Sequence, residues 1–285
     1  MGRLIVNADD FGLTCGVNRA IAELHRAGVV TSATLMARAN ATADAVQRSR
    51  AMLSLGVGCH VVLVDGDPVL PVSEIPTLVD RRRGRFHATL GGFLRRLLAG
   101  QIRSSEIEAE AAAQIASIQA EGIALTHIDT HKHVHMFPGV LRPVLRAARA
   151  LGIRAVRNPF EPAWSVRATP KASHLRRAEV SLLRQLEPGF RRIVTEEGFT
   201  TTDGSIGVLA TGTLDFQTVR SLLSNIPAGT WELVTHPGYH DADLAEAHTR
   251  LLASRDTERD VLLALRAFPA LELISFAGLH DEPHL

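Results

Sequence analysis

The chain is poor in cysteine, in net charge and in long apolar runs. Cys15 and Cys59 are the only cysteines in 285 residues, too few for a disulfide framework, so a reducing compartment is the default expectation. Thirty-one basic against 30 acidic residues leave a net charge of +1. No global field therefore favours nucleic acid, and none is expected as a partner. No uncharged stretch approaches the ~18–20 residues that span a bilayer. The apolar residues after Met1-Gly2-Arg3 are interrupted by two aspartates, too early for a secretory signal. A cytoplasmic protein is expected. No glycine-rich phosphate loop follows any strand-like run, and no internal repeat, low-complexity tract or linker divides the chain.

What is present is alternation. Short β-branched runs near 3–8, 30–36, 56–63, 125–129, 154–157, 206–210, 231–235 and 271–276 read as strands. Helical periodicity fits 17–27, 41–52, 105–121, 140–151, 175–186, 215–224 and 244–267. Pro138 suits a first helical turn and Gly152 a helix C-cap, while Ser104-Ser105-Glu106 offers an N-cap with acids in the first turn. The pattern predicts an α/β, (β/α) barrel-like fold of about seven or eight mostly parallel strands, with a doubly wound open sheet as the alternative. One domain over residues 1–285 is expected. Prolines at 68, 71 and 76 and the run Arg81-Arg82-Arg83-Gly84-Arg85 mark an inserted excursion near 65–103, over the barrel mouth.

The polar residues gather at the predicted strand ends. Asp9 and Asp10 follow the first strand, His60 belongs to the third, His127, Asp129 and His131 end the fourth, Arg157 the fifth, and His236 follows Glu232-Leu233-Val234-Thr235. In parallel α/β folds these ends share one face, where active sites sit. Taken singly, each has a bland explanation. His60 reads as a hydrogen-bonded core histidine, Asp9-Asp10 as a solvated turn or helix cap, and His131, His133 and His135 as an exposed polar loop. Jointly these explanations fail, because four histidines among residues 127–135 far exceed a frequency of 13 in 285. Cys59, beside His60, remains a small buried residue rather than a thiolate ligand. Two imidazoles plus a carboxylate make a catalytic site for one divalent ion, and imidazole suits zinc better than magnesium, which stays the alternative. One aspartate of the pair would bind the ion and the other would take a proton from its water. Asp129 is placed to orient a histidine.

Asn7-Ala8-Asp9-Asp10-Phe11-Gly12, Gly58-Cys59-His60, Thr126-His127-Ile128-Asp129-Thr130-His131, His133-Val134-His135-Met136-Phe137 and Thr235-His236-Pro237-Gly238 together resemble the YdjC-like carbohydrate deacetylases. The resemblance runs to about residue 276. It implies a barrel-like fold and a metal-dependent deacetylase acting on N-acetylated sugars. It further implies Asp10, His60 and His131 as metal ligands, Asp9 as the base, and His236 as the general acid. Arg157 resembles a substrate-contacting strand end, and His127 and His135 fall where pocket residues would be. From location and residue type, Trp164 joins Arg157 as a sugar-positioning residue. Val62-Leu63-Val64-Asp65-Gly66-Asp67-Pro68-Val69-Leu70-Pro71, with Glu74-Ile75-Pro76 and Leu78-Val79-Asp80, is similar to the hopanoid biosynthesis-associated deacetylases. That similarity implies an N-acetylglucosaminyl hopanoid lipid as substrate, with chitooligosaccharide as the alternative; His236-Pro237-Gly238-Tyr239 is closer to the general family pattern.

Two segments bear on a lipid-linked substrate. Lys171, Arg176, Arg177, Arg184, Arg191 and Arg192 interleave with leucines between 175 and 186, and Arg95 and Arg96 lie among Phe86, Leu90, Phe93, Leu94, Leu97 and Leu98. Such basic amphipathic segments can rest on the anionic inner face of a membrane, although a leucine-packed barrel helix with a solvated basic face is the favoured explanation of the 171–192 segment. The sequence leaves homo-oligomerisation open. Two rival classes are a metal-dependent phosphoesterase, which would want more ligands and a phosphate loop, and a non-catalytic glycolipid-binding protein, which would have no use for a free base beside a metal.

Overall fold

The computed structural model describes residues 2–265 and 271–281. The chain runs β1 (Gly2–Phe11), α1 (Cys15–Arg26), β2 (Ser32–Leu35), α2 (Thr42–Arg50) and β3 (Gly56–Val61). A short antiparallel hairpin follows, β4 (Val79–Asp80) with β5 (Arg85–Phe86), then α3 (Leu90–Leu98) and α4 (Ser104–Ala120). Next come β6 (His127–Thr130), α5 (Pro138–Ala150), α6 (Ala163–Ala168), α7 (His174–Leu183) and α8 (Glu187–Glu196). The rest is β7 (Gly204–Ile206), α9 (Phe216–Ser224), β8 (Gly229–Thr235), α10 (Ala242–Glu246), α11 (Ala253–Ala264) and β9 (Glu272–Leu273).

The main sheet is parallel throughout, in the order β6-β3-β2-β1-β8-β7, with β9 paired to the start of β1. Between its outer strands lies the segment around 155–160. Val156 bridges to Ile128 of β6, Ala155 bridges to Thr200 just ahead of β7, and Ser205 N–H donates to the Phe160 carbonyl at 3.1 Å. The sheet thus curls into a barrel whose last side is held by isolated bridges, as the βα alternation predicts. β1 is buried almost end to end because helices cover the outer face and side chains fill the lumen. Among the described residues no helix is long and apolar enough to cross a membrane.

Strand alternation decides what fills that lumen. At the N-terminal end of the barrel, Ile5, Ala155, Phe276 and Leu279 form a small apolar cluster of their own. One layer up, the His127 ring stacks on Phe276 with centroids 3.7 Å apart. Gly58 makes room for it, since a Cβ there would lie 2.5–2.7 Å from the imidazole. Above that layer the interior is charged: Asp9, Asp129, Arg157 and Glu232 are all buried.

Departures from the sequence reading have local causes. The strand expected at 154–157 is reduced to the two bridging residues, and the one expected at 206–210 lies earlier, at 204–206. The helix expected over 244–267 is broken into α10 and α11; residues 266–267 lie outside the described range. Thr249 Oγ1 accepts from Leu251 N–H at 3.1 Å in the break, a side-chain bond that competes with helix continuation. Helices α3, α6 and α8 were not expected. Ser104 opens α4 rather than capping it, and Glu106 accepts from Thr77 N–H instead. Pro138 does sit in the first turn of α5, and Gly152 follows its end with φ +84°.

Candidate active site

Neighbouring residues in a regular strand point to opposite faces, so Asp9 and Asp10 cannot both face the lumen without a break. The break is a register shift between Ala8 and Phe11, with Asp10 at φ +63°. Aspartate tolerates this left-handed geometry better than most residues, since its short side chain can bond locally. The irregularity brings both carboxylates to the C-terminal mouth.

His60 and Asp129 are register partners on β3 and β6, and this adjacency produces the bond from His60 Nδ1 to Asp129 Oδ1 at 2.8 Å. It leaves Nε2 pointing at the Asp10 side, 3.5 Å from Asp10 Oδ1. His131 Nδ1 lies 3.5 Å from the same oxygen and 3.3 Å from His60 Nε2. His131 leaves β6 just before Lys132 and His133, both with positive φ near 55°, and this tight turn sets the direction of the loop. Donors about 2.1 Å from a tetrahedral ion stand about 3.4 Å apart, so the Asp10–His60–His131 triangle has the size of such a site. A second grouping, Asp9, His60 and Asp129, is equally close-knit, but Arg157 already occupies its carboxylates.

Arg157 is fully buried and binds three acids. Its Nη1 and Nη2 donate to Asp9 Oδ2 and Oδ1 at 2.8 and 2.6 Å, Nε donates to Glu232 Oε1 at 2.8 Å, and Nη1 also contacts Asp129 Oδ2. Burial alone would raise the Asp9 carboxyl, but Arg157 outweighs it and holds the group far below the usual range. Asp9 Oδ1 additionally accepts from Asn7 and Thr34. The less crowded oxygen is Oδ2, with His236 Nε2 3.7 Å away.

Burial pushes His236 down to about 4 against the pull of Asp9 and Asp10, so its ring is neutral at neutral pH. Its Nδ1 has no hydrogen-bond partner among the described residues, and its backbone N–H donates to Glu258 Oε2 at 2.6 Å. His60 behaves oppositely: burial lowers it, but Asp129, Asp10 and Asp9 prevail and raise it to about 10. The surrounding carboxylates thus draw positive charge to the Nε2 side of the ring, the side that faces the space a cation would occupy. The residues present fit a divalent metal.

A sequence profile for the YdjC-like protein family matches residues 3–272. The chain belongs to that family. A carbohydrate deacetylase of Brevibacillus brevis is 43% identical over 162 residues, 55% of this chain and 60% of that one. A carbohydrate deacetylase of Thermoanaerobacter pseudethanolicus is 28% identical over 262 residues, covering 92% and 91% of the two chains. Among solved structures, a protein from Enterococcus faecalis, described as a candidate cellobiose-phosphate cleavage protein, superposes with a TM-score of 0.76 at 25% identity over 98% of each chain.

Within this YdjC-like site, Asp9, Asp10, His60, His131, Asp129 and His236 come together as the sequence placed them. Four residues expected to touch substrate are placed otherwise. Arg157 is saturated by carboxylates. His127 lies in the barrel on Phe276, and burial lowers it to about 3. His135 is buried between Thr130 Oγ1 and the Arg157 carbonyl, at 2.7 and 3.2 Å. Trp164 packs edge-to-face on Trp231, near the start of β8 and away from the mouth. Cys59 is buried, and burial raises its thiol.

Sequence reasoning missed Glu232, Glu258 and Arg255. Arg255 is fully buried and donates from Nη2 to Asp10 Oδ2 at 2.5 Å. A signal existed: Arg255 and Glu258 share the face of α11 that carries Leu262, so two charges occupy core positions of an amphipathic helix. Glu232, between Trp231 and Leu233, is likewise an acid inside a buried strand.

Proposed function

We propose that this protein removes the acetyl group from an N-acetylglucosamine-containing substrate, with Asp10, His60 and His131 holding one divalent metal, zinc before magnesium. The chain is an amide hydrolase of the deacetylase class, in keeping with the relatives named above. The observation that carries the site assignment is the 3.3–3.5 Å donor triangle beside the less crowded Asp9 oxygen. A divalent ion held by those three residues supplies Lewis-acid polarisation of the acetyl carbonyl and lowers the pKa of water.

The remaining steps belong to Asp9 and His236. Arg157 keeps Asp9 ionised and burial keeps His236 neutral, so the resting pair stores no proton. Water adds to the acetyl carbonyl carbon as its proton passes to the pair. When the C–N bond breaks, the same proton is delivered to the departing nitrogen, giving a free amine and acetic acid, whose remaining proton is lost to solvent to leave acetate. On this account His236 is the general acid only after it has been charged by the first step. Arg157, Asn7 and Thr34 hold Asp9 in place throughout.

For the aglycone, the reading is a hopanoid lipid, with a chitooligosaccharide as the alternative. What supports the lipid is the motif similarity in 62–80 and the exposure of Leu175, Leu182 and Leu98 on helices that also carry arginines. The test is mass spectrometry of metal-loaded protein incubated separately with N-acetylglucosaminyl lipid and with chitooligosaccharide. Chelator-sensitive loss of an acetyl group from the lipid is expected. Loss from the oligosaccharide alone removes the lipid reading, and loss from neither removes the substrate proposal; phosphate release from a phosphoester would favour the phosphoesterase class.

A further inference from the structure

The two oxygens of Asp10 meet different partners. Oδ1 faces His60 Nε2 and His131 Nδ1 at 3.5 Å each, whereas Oδ2 is bound by Arg255 Nη2 at 2.5 Å. Arg255 approaches from α11, more than two hundred residues along the chain. Its Nε donates to the Leu251 carbonyl at 3.0 Å, which fixes the guanidinium plane through a second, independent bond. Its stem is pressed by the loop after β8: a Cβ on Gly238 would stand 3.0 Å from Arg255 Cδ. Gly238 N–H also donates to the Arg255 carbonyl at 3.2 Å. The arginine is therefore held at its side chain, its stem and its backbone.

A carboxylate can hold a cation through one oxygen or through both, and the choice sets how many positions remain for water and substrate. Chelation through both requires Asp10 to rotate Oδ2 toward the histidines, breaking a charge-assisted hydrogen bond in a buried setting. The planar fork of arginine, unlike a flexible ammonium, resists that rotation by its geometry. We propose that Arg255 is a positioning residue that restricts Asp10 to a single coordinating oxygen, so that the three-ligand centre keeps open positions for water and the acetyl oxygen. This rests on the metal-site reading above and specifies how one of its ligands is used.

Cobalt(II) titration of metal-stripped protein tests it, because the visible spectrum reports coordination number without any turnover. The wild type, Arg255→Met and Arg255→Lys are compared, with metal affinity measured by competition with a chelating dye and folding checked by circular dichroism. For Arg255→Met the expectation is a roughly twofold weaker visible band, from the added oxygen, and a metal affinity lowered by about 10- to 100-fold. Arg255→Lys keeps a positive charge opposite Oδ2 but lacks the planar fork, and is expected to fall between wild type and Arg255→Met in both readouts. An unaltered spectrum in both variants overturns the proposal, even with weakened affinity, because Arg255 then only braces the loop. Absence of any metal binding by the wild type overturns the site reading itself and is distinguished from the former result by that alone.

Discussion

Arg157 grips both oxygens of Asp9, 148 residues away in sequence, at 2.6 and 2.8 Å. The aspartate is thereby fixed as an anion even though it is almost completely buried. Asp9→Asn preserves shape and removes the proton acceptor. Turnover is expected to fall by about 10²- to 10⁴-fold while metal content, measured by inductively coupled plasma mass spectrometry, stays at the wild-type level. His131→Ala is expected to give the reverse order of loss, with the metal itself gone. Normal turnover in the asparagine variant would remove Asp9 from its role.

Arg157→Met strands Asp9, Asp129 and Glu232 in the barrel without their cation. Loss of one partner from a buried ionic group costs about 3–5 kcal/mol, so the variant is expected to unfold at markedly lower denaturant concentration. Glu232, which burial raises to about 7 despite Arg157, would become a neutral acid in that variant. A urea midpoint equal to wild type would show that the cluster is dispensable for the fold.

The buried histidines predict an acid-side loss of stability. His127 and His135 are lowered by burial to about 3 and about 4, below the value near 6.5 of an unfolded chain. As pH falls below about 6.5 the unfolded state takes up protons first. Stability present above that pH is then lost by up to about 1.4 kcal/mol per pH unit for each histidine. His127→Phe preserves the stack on Phe276 and is expected to flatten part of this slope in pH-dependent urea melts.

Gly58→Ala tests the lumen packing directly. The new methyl would meet the His127 imidazole at 2.5–2.7 Å, and the ring is stacked against Phe276 with centroids 3.7 Å apart. Overpacking of this kind costs about 1–3 kcal/mol. A thermal melt indistinguishable from wild type would mean that the ring has another place to go.

Much of the barrel was readable because helical and strand periods alternate so regularly, and β1, β3 and α1 fall where their patterns put them. The strand at 154–157 was readable as sequence but survives only as bridges, because its neighbours pair with it one residue at a time. A metal site was legible because histidine and acid cluster at strand ends; the resemblance to the deacetylase family singled out Asp10, His60 and His131, and the fold brings those three side chains together. Arg157 was legible as a strand-end residue, but its role was not. A guanidinium beside a site reads as a substrate contact until the buried acids around it, Glu232 above all, are placed in space. Arg255 was easily passed over for a related reason. Its surroundings, Ser254-Arg255-Asp256-Thr257-Glu258-Arg259, look like any solvated helix turn unless the phase of Leu262 is followed back along the helix, and tertiary contact is what shows Arg255 and Glu258 both facing inward.

β1 is flanked by β8 along most of its length and by β9 at its start. During synthesis on a ribosome, β1 emerges before β8 and β9 and must therefore wait for partners made more than two hundred residues later. Until then its apolar run, Leu4-Ile5-Val6, can pair only with β2 or with a stranger. The nascent chain thus carries an unpaired edge for most of its translation, and chaperone occupancy should persist until residues beyond 229 have left the exit tunnel.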